Sequence, residues 1–129
     1  MPRSHRRTIL AATLAALVVG ACGSAGSPAR AVEAYLEALI RKDEIGAANL
    51  ACADWEAQAR AEALSFDAVE VQLEDVACQS GEASGESARV TCTGRILANY
   101  GTEDQEIDLS ARAFRVVREA GQWLMCGYE

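Results

Sequence analysis

The chain has 129 residues, with 12 Lys and Arg against 19 Asp and Glu, and a formal net charge of −7. An acidic surface repels phosphate backbones and anionic headgroups, so the composition excludes nucleic acid as a partner and excludes membrane binding through a basic patch. The single histidine, His5, lies near the amino terminus, so the rest of the chain contains no imidazole for acid–base pairs or His-rich metal sites.

Residues 1–21 have the order of a secretory signal peptide. Three arginines among the first seven residues precede an uncharged apolar run at 8–19, and two small residues follow at 20 and 21. The run is about a dozen residues long, shorter than the ~20 that a membrane-spanning helix needs. We therefore expect removal of the segment. The adjacent arginines at 6 and 7 also fit a twin-arginine signal, and the export route stays open.

Residues 19–22, Val-Gly-Ala-Cys, resemble the lipobox of bacterial lipoproteins. The resemblance implies a diacylglycerol on Cys22, and two acyl chains would anchor the protein on the extracytoplasmic side of a bacterial membrane. The alternative is ordinary cleavage that leaves Cys22 as a structural thiol. Residues 22–27 are then a tether of mostly small residues, and 28–129 form a single domain with its own core.

The first half of the domain shows helical periodicity. Ser27 and Pro28 favour a helix start, and apolar residues then recur at three- and four-residue spacing up to Arg41. Asp43 is expected to cap a second short helix through residue 51. Asp54 is expected to cap a third helix that ends near residue 64.

From residue 69 onward the apolar period is two, which is typical of strands. The first strand begins at 69–73, and a slip in the apolar phase predicts a bulge near Glu74 and Asp75. Residues 79–87 are polar and predict a loop. Further strands are expected at 90–98, 106–118 and 123–126, with a tight turn at 119–122 in which Gly121 takes a positive φ.

Helices followed by hairpin-linked strands predict an α+β domain, with N-terminal helices packed on a curved four-stranded antiparallel meander. The layout, with the stretches 31–43 and 118–126, resembles small lipoproteins of the nuclear-transport-factor-two-like (cystatin-like) superfamily, in a family of unknown function. The resemblance covers nearly all of the mature chain and includes no catalytic motif. It implies a sheet curved around a helix, often with a cavity between them.

Four cysteines follow Cys22, and four thiols allow three pairings. If the sheet is a meander, Cys78 and Cys92 lie on either side of the predicted polar loop and pair, which leaves Cys52 with Cys126. Disulfides are common in small exported domains. No Cys-x-x-Cys spacing occurs, so we predict neither a metal site nor a cofactor.

Several side chains are candidates for the lining of the implied cavity, namely Tyr35, Phe66, Asp75 and Trp123. For the aromatic residues, ordinary core packing is the competing interpretation. A carboxylate base, as in isomerases and cyclases of the resembled superfamily, would come from Asp75 or Asp67. Asp75 equally fits a solvated acid beside a bulge.

These patterns favour a lipid-anchored envelope domain without catalytic activity, which binds an envelope protein or a small apolar ligand. The first alternative is a small isomerase-like or cyclase-like enzyme with a carboxylate base in the cavity. The second is a structural accessory domain that docks through its sheet face, which predicts a filled interior and an exposed apolar patch.

Overall fold

The computed structural model describes residues 26–129 and shows, in that range, three α-helices followed by five antiparallel strands. Two 3₁₀ turns, Ala53–Trp55 and Leu109–Ala111, interrupt the sequence of elements. The signal peptide and Cys22 lie outside the described residues. The elements are α1 (Pro28–Ile40), α2 (Glu44–Asn49), α3 (Glu56–Ser65), β1 (Glu70–Ser84), β2 (Ser87–Asn99), β3 (Asp104–Asp108), β4 (Ala113–Glu119) and β5 (Gln122–Tyr128).

Side-chain caps begin the first two helices, as the sequence predicts. The Ser27 hydroxyl accepts a hydrogen bond from the Arg30 amide (3.2 Å), with Pro28 in the first turn of α1. Asp43 accepts from the Gly46 amide at 2.8 Å and caps α2. The prediction for Asp54 is wrong, because it lies inside the 3₁₀ turn and α3 begins without a side-chain cap.

The predicted third strand is divided in two, so the sheet has five strands instead of four. β2 pairs with β3 through residues 95–99 and with β4 through residues 87–91. The 3₁₀ turn Leu109–Ala111 separates the two halves. Asp108 stabilises this bend by accepting hydrogen bonds from the Ser110 hydroxyl (2.7 Å) and amide (2.9 Å), and these bonds lower the pKa of the Asp108 carboxyl.

The bulge predicted in β1 is confirmed, whereas the polar loop is wrong. The β1–β2 register shifts between Glu74 and Ala77, and Asp75 has a φ of 53°. Gly94 lies opposite, where a Cβ atom would come within 2.4 Å of the Asp75 carbonyl oxygen. Residues 79–84 continue β1 because pairing with β2 extends to Ser84 opposite Ser87. Polar side chains do not prevent such pairing, since the ladder bonds are backbone bonds.

Two disulfides join the predicted cysteine pairs, Cys52–Cys126 and Cys78–Cys92. Cys78 and Cys92 are direct cross-strand partners on β1 and β2. Cys52 lies between α2 and the first 3₁₀ turn, and its bond with Cys126 fastens this connection to β5. Beside it, the Cys52 amide donates to the Met125 carbonyl at 2.8 Å. Disulfides indicate an oxidising, extracytoplasmic environment.

The core lies between α1 and one face of the sheet. Val32, Tyr35 and Leu36 on α1 are buried, as are Phe114 and Val116 on β4. Their spacing on the helix is three and four residues, which places them on one side of α1. None of the helices within residues 26–129 combines the length and the apolar character needed to cross a bilayer.

The two disulfides are expected to contribute unequally to stability. Replacing Cys52 and Cys126 together by Ala should lower the free energy of unfolding by ~4 kcal/mol, and replacing Cys78 and Cys92 by ~3 kcal/mol, because the first bond closes the longer loop. Urea unfolding of both double variants without reductant measures the difference. A larger loss for the Cys78 and Cys92 pair would contradict the loop-length argument.

Candidate functional site

A cavity of about 190 Å³ opens between the helices and the sheet. Its walls are mainly apolar, and four polar residues, Glu62, Ser65, Arg112 and Tyr128, also line it. The apolar lining residues are Leu36, Leu39, Phe66, Ile96, Ile107, Leu109 and Phe114. A mostly apolar wall with a few polar groups is the usual composition of a small-molecule site.

Glu62 presents a half-buried carboxylate that three side chains hold. Its Oε2 atom accepts hydrogen bonds from the hydroxyls of Tyr35 (2.7 Å) and Tyr128 (2.9 Å). Gln58, one turn earlier on α3, donates to Oε1 at 3.4 Å. The hydrogen bonds compensate for the water that the carboxylate loses next to an apolar cavity.

Aromatic contacts hold the two tyrosines in place. The Trp55 indole Nε1 donates to the Tyr35 hydroxyl at 3.3 Å, and the Trp55 ring meets the Tyr128 ring edge to face at 5.5 Å. Phe114 packs against Tyr128 from β4, with ring centroids 5.4 Å apart. Edge-to-face pairs of this kind stabilise one ring orientation. The hydroxyl of Tyr128 is therefore aimed at Glu62 by packing as well as by hydrogen bonding.

Burial raises the pKa of both tyrosines well above the usual range. For Tyr35 the next contribution is the hydrogen bond with Glu62, and for Tyr128 it is the negative charge of Glu62. Both phenols therefore stay protonated and continue to donate at any physiological pH. In the cluster of Tyr35, Glu62 and Tyr128, the two hydroxyls thus both donate to one oxygen of the Glu62 carboxylate.

Arg112 lies at the exposed rim of the cavity, immediately after the 3₁₀ turn Leu109–Ala111. Its guanidinium carbon is 4.4 Å from the centroid of the Tyr128 ring, which is a cation–π contact. Within residues 26–129 no carboxylate forms an ion pair with Arg112, whereas Arg95 pairs with both Glu74 and Glu106.

The structure separates the four side chains proposed as cavity lining. Phe66 lines the cavity, and Tyr35 is buried behind it with its hydroxyl bonded to Glu62. Asp75 is exposed at the β1 bulge, in a separate groove with Gly94. Trp123 lies on β5 beneath the Arg118 guanidinium. Asp67, the other proposed base, is exposed after α3 and absent from the cavity wall.

Sequence reasoning missed Glu62, Tyr128 and Arg112. Helical spacing could have identified Glu62, since Ala59 and Ala63 are buried on the same side of α3. The apolar pattern places Arg112 within one continuous strand at 106–118 and does not predict the bend that brings it to the cavity. Tyr128 lies beyond the end predicted for the last strand.

No family model and no curated protein matches the chain. Solved structures do share its fold. A SEC-C motif containing protein from Rhodopseudomonas palustris is similar at 16% identity and a TM-score of 0.59, over 83% of this chain and 80% of that protein. A candidate dehydratase of the NTF2-like (nuclear-transport-factor-two-like) family from Streptomyces avermitilis is similar at 21% identity and a TM-score of 0.56, over 77% of this chain and 88% of that protein.

A candidate scytalone dehydratase from Novosphingobium aromaticivorans is similar at 16% identity and a TM-score of 0.51, over 74% of each chain. At these identities the likeness establishes the fold alone. The chain therefore has the nuclear-transport-factor-two-like fold, and the α+β class predicted from its helices and strands is confirmed.

The buried tyrosines predict a loss of stability in alkali. Unfolded tyrosines release their protons near pH 10, whereas Tyr35 and Tyr128 retain theirs in the folded state to higher pH. Above pH 10 the unfolded state binds fewer protons, so the free energy of unfolding should fall by up to ~1.4 kcal/mol per pH unit per tyrosine.

Urea unfolding between pH 9 and pH 11 measures this slope. Tyr35→Phe should reduce it, while Tyr100→Phe, at an exposed site outside the cluster, serves as the matched control. If the unfolding free energy falls equally steeply with pH in Tyr35→Phe and in the wild-type protein, the folded state does not retain the phenol proton of Tyr35 above pH 10.

Proposed function

We propose that this chain is a lipid-anchored extracytoplasmic domain that binds a small apolar molecule in the cavity between α1, α3 and the sheet. The cavity carries this proposal, because its wall is largely apolar and its polar groups gather around Glu62 and Tyr128. Such groups orient a ligand while the apolar wall provides affinity. No metal or other cofactor enters the proposal.

The size of the cavity limits the ligand. An apolar cavity of about 150 Å³ in another protein binds benzene, so a space of about 190 Å³ suits a molecule with one ring or a short branched chain. Larger ligands would require α1 or α3 to move away from the sheet. The expected class is therefore compact and largely apolar.

The anchor would hold the domain close to the membrane. The tether at 22–27 has six residues, and a fully extended chain of that length reaches about 20 Å. Ser27, its last residue, already caps α1. Two disulfides are consistent with a location outside the cytosol. A ligand that partitions into or crosses the envelope would thus meet the domain near the bilayer surface.

An accessory domain that docks through its sheet face is a weaker interpretation. It requires a filled interior and an apolar exposed patch, whereas a cavity of about 190 Å³ opens between the helices and the sheet. Within residues 26–129 the exposed large apolar side chains are Ile45, Leu64 and Tyr100, which lie on α2, on α3 and after β2. Single apolar residues on different elements are ordinary features of a protein surface.

A small enzyme is the second candidate, because Glu62 is a carboxylate in the cavity wall and two proteins of similar fold are candidate dehydratases. Binding is favoured over this alternative, since the tyrosine hydroxyls take both lone pairs of Oε2 and Gln58 donates to Oε1. Only one lone pair, on Oε1, then remains to accept a substrate proton. A proton-transfer activity that is present in the wild-type protein and absent in Glu62→Gln would show that the site is catalytic and would overturn the binding proposal.

Mutation of Cys22 tests the anchor. Cys22→Ala should move the protein from the membrane fraction to the soluble extracytoplasmic fraction, because the two acyl chains supply the hold on the bilayer. Detergent phase partitioning of cells expressing each variant measures the distribution, and Ser24→Ala is the matched control in the same tether. Membrane association that survives in Cys22→Ala would refute lipid anchoring.

Filling the cavity tests ligand binding. Benzyl alcohol at concentrations above its dissociation constant should raise the midpoint of thermal unfolding, because a ligand that binds only the folded state stabilises it. Ile96→Phe places a larger side chain in the cavity wall and should abolish the increase.

The neighbouring substitution is the control for this experiment. Leu97 follows Ile96 on β2, points to the other face of the sheet and is not part of the cavity wall, so Leu97→Phe should leave the benzyl alcohol effect intact. Equal effects in the wild-type protein and in Ile96→Phe would mean that the alcohol does not occupy the cavity.

A further inference from the structure

The geometry points to a more specific ligand class, and this inference rests on the binding function proposed above. We propose that the ligand is a small carboxylic acid with an apolar body, which inserts the body into the cavity and pairs its carboxylate with Arg112. Both parts of this ligand have a counterpart in the cavity wall, one apolar and one cationic.

The other polar groups of the cavity wall are already engaged. The Tyr128 hydroxyl donates to Glu62, and the Ser65 hydroxyl donates to the backbone carbonyl of Glu62 at 2.6 Å. Glu62 itself accepts from Tyr35, Tyr128 and Gln58. None of these groups offers a free donor to a ligand without breaking an existing bond.

Arg112 differs from the other polar lining residues. Within the part of the chain that the structure describes, its N–H groups make no hydrogen bond and its charge has no ion-pair partner. Two arginines elsewhere on the sheet are occupied, since Arg115 donates to the Cys126 carbonyl at 2.9 Å and Arg89 pairs with Glu129 at 3.1 Å. Arg112 is therefore the donor in the cavity wall that a ligand can use.

The stacking on Tyr128 prepares Arg112 for a carboxylate. A guanidinium that lies over an aromatic ring uses its face for the contact and keeps its N–H edge free. That edge forms two parallel hydrogen bonds with a carboxylate, a geometry that fixes direction as well as distance. Because Tyr128 and Leu109 also line the cavity, a carboxylate on Arg112 leaves its attached apolar group next to the apolar wall.

The charges near the cavity distinguish this class from others. Arg112 repels a cationic ligand, and the Glu62 carboxylate that could attract one already accepts from the two tyrosines at Oε2 and from Gln58 at Oε1. The negative charge of Glu62 lies at the hydroxyl end of Tyr128, whereas Arg112 covers the ring. A neutral ligand gains the apolar contacts without the charged pair. A ligand with an anionic head thus gains both the apolar contacts and the charged pair with Arg112.

Three probes of the same shape and different charge test the inference, namely benzoate, benzamide and benzamidine. Isothermal titration of the full-length protein in detergent at low ionic strength should give a dissociation constant for benzoate at least about tenfold below that for benzamide, with benzamidine weakest. Arg112→Gln should remove the preference for benzoate and leave benzamide binding in place.

A matched variant controls for the loss of any surface arginine. Arg118 also stacks on an aromatic ring, that of Trp123, but does not line the cavity, so Arg118→Gln should keep the benzoate preference. Thermal unfolding of both variants without ligand checks that they are folded.

The outcomes separate the two proposals. Equal binding of benzoate and benzamide that Ile96→Phe abolishes would overturn the carboxylic acid class and keep the cavity as a binding site. A benzoate preference that persists in Arg112→Gln would also overturn the role of Arg112. Absence of binding by all three probes at millimolar concentration would overturn both the acid class and the proposed binding of ring-sized molecules.

Discussion

The hydrogen bonds from Tyr35 and Tyr128 to Glu62 connect the three parts of the molecule that enclose the cavity. Tyr35 belongs to α1, Glu62 to α3 and Tyr128 to β5, so a single carboxylate oxygen joins two helices and the last strand. Burying a carboxylate without hydrogen-bond donors is unfavourable, and the loss of either hydroxyl would leave part of the desolvation free energy of Glu62 uncompensated. The polar end of the cavity therefore exists because the two hydroxyls reach Glu62, and the apolar walls extend away from it.

The position of Tyr128 depends in turn on how β5 is held. Two residues before it, Cys126 is bonded to Cys52, which lies just before the 3₁₀ turn that carries Trp55. Trp55 then contacts both tyrosines, through its indole N–H and through its ring. The disulfide thus contributes to the site as well as to stability, because it fixes the connection between α2 and α3 against the strand that carries Tyr128.

The bend between β3 and β4 has a similar consequence for the rim. A continuous strand would alternate its side chains above and below the sheet and keep the ladder to β2 unbroken. The 3₁₀ turn, capped by Asp108, instead brings Leu109 into the wall and Arg112 to its edge. Arg112 then stacks on Tyr128, so the cationic rim and the polar cluster around Glu62 share one aromatic ring.

The sequence by itself determined the α+β class, the caps of α1 and α2 and the β1 bulge, because these follow from local periodicity and turn chemistry. For the disulfides it allowed three pairings, and the observed pairs followed only on the assumption of a meander sheet. It also predicted the processing at Cys22, which belongs to residues outside those that the structure describes. Tertiary structure alone decided the site. Glu62, Arg112 and Tyr128 are up to 66 residues apart in the chain, and no local pattern specifies which carboxylate meets which hydroxyl. The sequence also offered Asp75 as an acid in the cavity. The β1 bulge at which Asp75 lies is away from the cavity, so its side chain lines a separate groove.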